Sequence, residues 1–368
     1  MRFIIGKQDL VELISKVQNV VPSKPASRPI INNVMIEAVG DELIFTATDT
    51  VVSIRAIVAA KVLTPGATTL PARRFFQLIR ELTAPIVEVS CDQNEIAEVV
   101  AGSSRFKLHG MHRAEFPTIN DLHDAAQFRI TGESLREMLY RTSYAVSRED
   151  SRQALTGVLL ELNKDEACFV GTDGKRLARS IAKITQTSGV CGSCILPLKA
   201  VDEMLKILES NERDVSISVT RDHIAVESGP NLLVSKLLTG DYPDYRRVIP
   251  AAPVLTAQLH REELISLLRQ VSLFTGEQHC SVRFTLAEGE LRLAANNRDI
   301  GEGRVSMPVD YHGSQVDIAF NPSYFLDILR HTKDELVQLG LIDAYNPALI
   351  TDQSTALSVL MPMRLQET

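Results

Sequence analysis

Three short clusters in this 368-residue chain carry side chains that could do chemistry. Gly171-Thr172-Asp173-Gly174-Lys175 sets a carboxylate and an ammonium among glycines, the ingredients of a phosphate cradle or a phosphotransfer centre. Cys191-Gly192-Ser193-Cys194 has the spacing of a metal knuckle, and His109 and His112 could serve as metal ligands. Each cluster lacks what its chemistry requires. A phosphate loop needs more glycines than are present, whereas Asp-Gly between two strand-like runs reads as a hairpin turn. No second cysteine pair or histidine accompanies the knuckle, and no carboxylate pattern surrounds the histidines. With neither HExxH nor GxSxG present, the sequence predicts no catalytic residue, no metal and no cofactor.

The surroundings of Thr172-Asp173 are more informative, because they occur three times. A hydrophobic strand runs into Thr48-Asp49, Thr172-Asp173 and Asn296-Asn297, each 124 residues from the last. Pro71, Pro197 and Pro322 each open an amphipathic helix, 126 and then 125 residues apart. A fixed period of this kind means repeated structural units, here 1–124, 125–252 and 253–368. Within each copy the pattern reads β-α-β-β-β twice over. In the first, Leu10, Val11, Ile14 and Val17 share a helix face. Single strands are expected at Val51–Lys61 and Leu177–Ile184. Strands with one apolar face need a cover, and two helices per copy supply it. The expected fold class is α+β, with antiparallel sheets and six helices.

Composition narrows the class. A chain 45% hydrophobic is globular, and its net charge of −7 excludes wholesale coating of nucleic acid. Met1-Arg2-Phe3 leads straight into a strand-like run, so no signal peptide is expected, and no apolar stretch is long enough to span a bilayer. Five cysteines, an odd number, suit a reduced cytoplasmic protein. The six predicted helices together carry +2, which leaves −9 on the rest. Ordinary solvated helix faces would account for that, as would a surface that meets a polyanion without gripping it. Six helices closed into a loop leave a bore of only about 10 Å, and twelve leave about 25–30 Å. A B-DNA duplex, roughly 20 Å across, passes the second alone, so a ring around DNA needs two copies of this chain.

Four motifs resemble one family. Thr172-Asp173-Gly174-Lys175-Arg176-Leu177, Pro243-Asp244-Tyr245-Arg246-Arg247-Val248, Pro71-Ala72-Arg73-Arg74-Phe75-Phe76 and Met361-Pro362-Met363-Arg364-Leu365 are similar to the bacterial DNA polymerase III β sliding clamps. The resemblance covers the whole chain. It implies three clamp domains, and a head-to-tail homodimeric ring that encircles duplex DNA without sequence specificity. It further implies a non-catalytic processivity factor that tethers the replicative polymerase's alpha subunit and other clamp-binding proteins, and is opened by a clamp loader.

The family's partner-peptide groove carries over to Arg152, Leu155, Thr172, Gly174, Lys175, Arg176, Leu177, Pro243, Arg247, Val248, Val359, Met361, Pro362, Met363 and Arg364. Leu155, Leu177, Val248 and Met361 would hold a leucine–phenylalanine pair, and Met363 would give an adaptable wall. DNA contacts would spread over Lys24, Arg73, Arg74, Arg105 and Lys199, and Phe106 and Leu108 of one chain would meet Leu273 and Phe274 of the next. Two positions depart from the family. Gln153-Ala154 replace an aromatic beside the leucine, which removes a stacking surface for single-stranded DNA, and Lys175 stands where histidine is common. Two other functions remain to be weighed: a peptide-binding repeat scaffold without DNA, and a phosphotransfer enzyme using Asp173 and Lys175.

Overall fold

The structure is a computed structural model that describes all residues except 25, 120, 121, 123, 124, 189–191, 209–213, 277–279 and 365–368, and the side chains of 150, 151 and 186–188. The first copy runs β1 (Arg2–Gly6), α1 (Lys7–Gln18), β2 (Asn33–Val39), β3 (Glu42–Thr48), β4 (Val52–Ala59), β5 (Lys61–Thr64), β6 (Gly66–Pro71), α2 (Ala72–Glu81), β7 (Ile86–Cys91), β8 (Ile96–Ala101) and β9 (Ser104–His109). The second continues with β10 (Ala126–Thr131), α3 (Gly132–Ser143), β11 (Gly157–Leu162), β12 (Glu166–Thr172), β13 (Arg176–Lys183), β14 (Thr185–Ser188), β15 (Gly192–Pro197), α4 (Leu198–Ile207), β16 (Asp214–Val219), β17 (His223–Ser228) and β18 (Asn231–Lys236). The third has β19 (Leu255–His260), α5 (Arg261–Ser272), β20 (Val282–Ala287), β21 (Glu290–Asn297), β22 (Gly301–Pro308), β23 (Val316–Phe320), α6 (Pro322–Arg330), β24 (Leu336–Leu341), β25 (Ala348–Thr351) and β26 (Leu357–Leu360). Six helices are described, two per copy, and the described strand pairs are antiparallel, as the sequence predicts.

Each helix follows from its pattern. In α1, Leu10, Leu13, Ile14 and Val17 are buried, while Lys16 reaches back to Glu12 across one turn at 2.7 Å. Pro71 caps α2 and Pro322 occupies the first turn of α6, where its fixed φ and missing N–H cost nothing. The buried stripe of α2, Ala72, Phe75 and Ile79, covers the sheet beneath it, and Phe75 lies 6.4 Å from Phe45 of β3.

Of two runs read as single strands, one is divided in the structure and the other holds to within a residue. Val51–Lys61 divides at Ala60, and Leu177–Ile184 ends at Lys183. In each case the chain leaves one sheet and enters another: β4 belongs to a nine-stranded sheet and β5 to a five-stranded one. Alternation records which side of a strand is buried but not which sheet the strand joins, so the corner leaves no mark in the pattern.

The chain forms two compact units. The first comprises Met1–Arg136, Ile184–Cys191 and Lys199–Leu237, and the second Glu137–Lys183, Gly192–Leu198 and Leu238–Thr368. The first holds the five-stranded sheet β5-β1-β7-β8-β9 and the nine-stranded sheet β14-β10-β16-β17-β18-β4-β3-β2-β6. Its seam is β18 on β4, from Leu232 opposite Arg55 to Ser235 opposite Val52. The second holds the eight-stranded sheet β15-β11-β12-β13-β26-β25-β24-β19 and the four-stranded sheet β22-β21-β20-β23. Its seam is β13 on β26, from Arg176 opposite Leu360 to Arg179 opposite Leu357. Compactness thus follows the continuous sheets, and the two halves of the middle copy fall into different units, while the boundaries 1–124, 125–252 and 253–368 follow the repeat.

Candidate functional site

The Thr-Asp hairpins are one device used repeatedly. Asp173 Oδ1 accepts the N–H groups of Lys175 and Arg176 at 2.9 and 3.0 Å, and Thr172 Oγ1 donates to the Arg176 carbonyl. In the first copy Asp49 Oδ1 accepts from Val51 and Val52 at 2.9 and 2.7 Å, with Thr48 in the role of Thr172. Asn297 takes the same part toward Asp299 in the third. Backbone φ is +84° at Gly174 and +77° at Thr50, so the turn demands the left-handed region and only the middle copy answers with glycine. Asp173 therefore spends its oxygens closing a turn, which assigns the cluster to structure and leaves no carboxylate for phosphotransfer. Of the cysteine pair, Cys191 lies outside the described residues; burial pushes the Cys194 thiol up to about 12, far from a ligating thiolate.

Around this hairpin the second unit builds a buried apolar cluster. Alternate residues of β13 and its neighbours face one side of the eight-stranded sheet: Leu177 lies opposite Thr172 and Val359, and Arg179 opposite Val170 and Leu357. Leu177 and Val359 belong to one buried cluster with Leu159, Cys168, Val170, Ile195 and Tyr245. The segment after β18 folds over this face. Tyr242 donates to the Val170 carbonyl at 3.2 Å, and Tyr245 donates to Glu161 at 2.7 Å. Burial raises both phenol pKa values, so each hydroxyl is held as a neutral donor. Leu155, in the 3-10 segment Asp150–Thr156, is buried, and its carbonyl accepts from Ser147 at 2.8 Å.

The exposed residues form the rim. Val248 and Met361 are 43% and 40% exposed, unusual for large apolar side chains and fit to be covered. The Met361 N–H donates to the Lys175 carbonyl at 3.0 Å, and the Met363 N–H to the Ala319 carbonyl at 2.7 Å, which fixes the terminal segment to the hairpin and to β23. The Arg152 guanidinium passes over Gly174 so closely that a Cβ there would lie 3.3 Å from its Nη1. Lys175, Pro243, Arg247 and Arg364 are exposed, with Pro362 and Met363 half-buried. Tyr242 and Tyr245, which pack with this cluster, are not singled out by the sequence; Tyr245 sits inside the motif Pro-Asp-Tyr-Arg-Arg, but nothing local shows where its hydroxyl goes.

Arg176 departs from its expected role. Its guanidinium points away from the rim, bonding Asp327 at 2.7 Å, Asp173 at 3.2 Å and the Tyr144 carbonyl at 2.9 Å, against the rings of Tyr144 and Tyr324. The side chain is only 10% exposed, so it acts as a bolt between β13 and α6. Replacing it by alanine strips Asp173 of its cation and leaves Asp327 with Arg330 alone, and Arg176→Ala is expected to cost about 3 kcal/mol in urea unfolding. Arg176→Lys, which keeps the charge and loses the fork, should recover only part of that. A loss below about 0.5 kcal/mol, the range of an exposed pair, would count against this role.

The cations expected to meet DNA fare unequally. Lys24, Arg73 and Arg74 are exposed, and the loop bearing Lys24 is tied down by Asn32, which accepts from Ala26 at 3.0 Å and donates to the Lys24 carbonyl. Arg105 is 70% exposed and only loosely paired with Glu98 at 3.8 Å. Lys199 is committed elsewhere, to Asp49 at 2.5 Å and the Val20 carbonyl at 3.0 Å, so its charge is neutralised inside the first unit. Phe106 and Leu108 lie on β9, an edge strand of the five-stranded sheet. Leu273 is 73% exposed, and Phe274 packs over Gly303 of the edge strand β22, where a Cβ would stand 2.5 Å from its ring.

Comparison with known proteins returns one family. Models described as the DNA polymerase III beta subunit match in order: its N-terminal domain over residues 1–120, its central domain over 129–244 and its C-terminal domain over 246–364. The chain is 49% identical to the beta sliding clamp of Chlamydia muridarum over the full length of both. It is 32% identical to that of Escherichia coli K12 over 99% of this chain and all of the other. Among solved structures, the DNA polymerase III subunit beta of Pseudomonas aeruginosa superposes with a TM-score of 0.93 at 30% identity, over 99% of this chain and all of that one. A Pseudomonas aeruginosa clamp bound to griselimycin gives 0.95 at 31%, with the same coverage.

Proposed function

Because the chain belongs to the DNA polymerase III beta subunit family, the bacterial beta sliding clamps, we propose that it works as a homodimeric ring around duplex DNA. It is a non-catalytic processivity factor: it holds the replicative polymerase on its template. The three repeats, taken as domains 1–124, 125–252 and 253–368, would supply six helices per chain and twelve per ring, enough for a bore of about 25–30 Å. DNA would be met by scattered exposed cations such as Lys24, Arg73, Arg74 and Arg105, which permits sliding because no base edge is read. The surface around Val248 and Met361, over Leu177 and Val359, would take short peptides from the polymerase alpha subunit, the clamp loader and other replication or repair proteins. Among the described residues no helix is long and apolar enough to cross a membrane, and a cytoplasmic site of action suits this work.

The observation that carries the reading is a pair of unsatisfied features in one chain: two long open sheet edges among the described residues, β9 and β22, and the exposed apolar side chains of Val248 and Met361 beside the buried cluster of Leu177 and Val359. The first calls for a second chain and the second for a peptide. The test is topological. Loaded with a clamp loader onto a nicked plasmid, the protein is expected to stay with the DNA through gel filtration. After the plasmid is cut once, it should leave within minutes by sliding off the ends. Equal retention on circular and linear DNA would show grip without encirclement. Peptide binding by a single-chain species would instead favour a scaffold without DNA.

A further inference from the structure

On the sheet face that carries this cluster, Arg179 is set apart from the charges around it. Glu161 accepts from Tyr245 and from Arg246, both at 2.7 Å. Lys183 stands opposite Glu166 in the β12–β13 register. Arg179 stands opposite Val170 on one side and Leu357 on the other, both apolar. Its Nε is buried and meets no acceptor. A buried N–H without an acceptor forfeits the hydrogen bond that water would have given it, and an ionised donor loses more than a neutral one. The guanidinium also sits close enough to Cys168 to favour its thiolate, although burial dominates and raises that thiol's pKa.

Position gives the orphan its meaning. Arg179 is two residues along β13 from Leu177 and on the same face, so the two side chains stand about 7 Å apart along the strand. The same spacing separates alternate residues of an extended peptide. Across the sheet at this level Arg179 meets Val170 and then Leu159, while Glu161, two residues further along β11, is already engaged by Tyr245 and Arg246.

We propose that Arg179 is a specificity-determining residue of the groove: its fork takes the carboxylate of an Asp or Glu that flanks the apolar anchor of the partner peptide. The proposal rests on the groove reading above and narrows it to acidic-flanked partners. An extended peptide seated with its anchor over Leu177 and Val359 brings a flanking side chain over Arg179. A carboxylate there gains a charge-assisted bond to the guanidinium, whereas glutamine at that place leaves the cation unanswered.

The test uses the full chain and a short fluorescein-labelled peptide with glutamine and a leucine–phenylalanine pair, varied by placing Glu or Gln at one flanking position at a time. Fluorescence anisotropy is expected to find one position at which Glu binds roughly tenfold tighter than Gln, the scale of one bond to a charged group. That preference should vanish in Arg179→Met and persist in weakened form in Arg179→Lys, while the peptide with Gln throughout binds all three proteins alike. A flat scan on the unaltered chain, with the parent peptide still bound, overturns the role of Arg179 and leaves the groove standing. A Glu preference that survives in Arg179→Met overturns it too. Failure of every peptide to bind removes the groove reading itself.

Discussion

Truncation after Leu360 is expected to cost the protein its partner peptides, by roughly a thousandfold in affinity or about 4 kcal/mol, while its mass in solution stays that of two chains. The last strand ends at Leu360, which still pairs with Ala348, so the seam between β13 and β26 survives the cut. What disappears is the segment fixed by Met361 to the Lys175 carbonyl and by Met363 to the Ala319 carbonyl. That segment supplies the exposed Met361 and half-buried Met363, thioethers whose flexible shape suits several related peptides. The peptide's apolar anchor would lose one wall and lie half in water, at a cost of about 25 cal/mol for each Å² left uncovered. Isothermal titration with a polymerase-derived peptide measures the loss, and light scattering measures the mass. Unchanged affinity in the truncated protein would move the binding site away from this surface.

The same segment marks how far the sequence could be read. The six helices were legible because each carries a stripe at helical spacing and three open on proline, local signals that need no knowledge of the fold. Thr48-Asp49 and Thr172-Asp173 were legible as turns because the side chain that closes such a turn lies within four residues of the backbone it binds. Arg176 was not legible, since its main partner, Asp327, lies 151 residues away. Lys199 meets Asp49 across 150 residues, and Tyr245 meets Glu161 across 84. For a long cation on the surface of a helix or strand, sequence offers solvent, a nucleic-acid phosphate and a distant carboxylate on equal terms. The pairing of β4 with β18 joins the copies that hold Asp49 and Lys199, and that of β13 with β26 joins those that hold Arg176 and Asp327. Arg179 belongs to the same group with the opposite outcome, because the register sets it between Val170 and Leu357.

Leu273→Asp is expected to convert the protein from twice 40.6 kDa to 40.6 kDa and to abolish its retention on circular DNA, with peptide binding intact. The argument starts from the edges of the sheets. Backbone groups on an open edge invite another strand, and natural proteins cover them or keep them short. Here β6 is covered by a bridge from Thr69 to Met111, β15 by Ile195 to Leu238, β19 by Gln258 to Asp310 and β23 by Ala319 to Met363. Of the edges without such a bridge among the described residues, β5 and β14 have four residues each, while β9 has six and β22 eight. The two long open edges carry the four apolar side chains assigned to the contact, or lie directly beneath them. Phe106 and Leu108 are on β9, and Phe274, next to Leu273, rests on β22 through Gly303. Leu273 is 73% exposed, so aspartate there is solvated in the single chain and should leave its urea midpoint unchanged. In the assembled ring that carboxylate would be driven against Phe106 and Leu108 of the partner, which costs several kcal/mol for an unpaired buried charge. Phe106→Asp attacks the same contact from the other side, so the double variant should be no worse than either alone. A Leu273→Asp protein that still sediments as two chains would show that some other surface joins them.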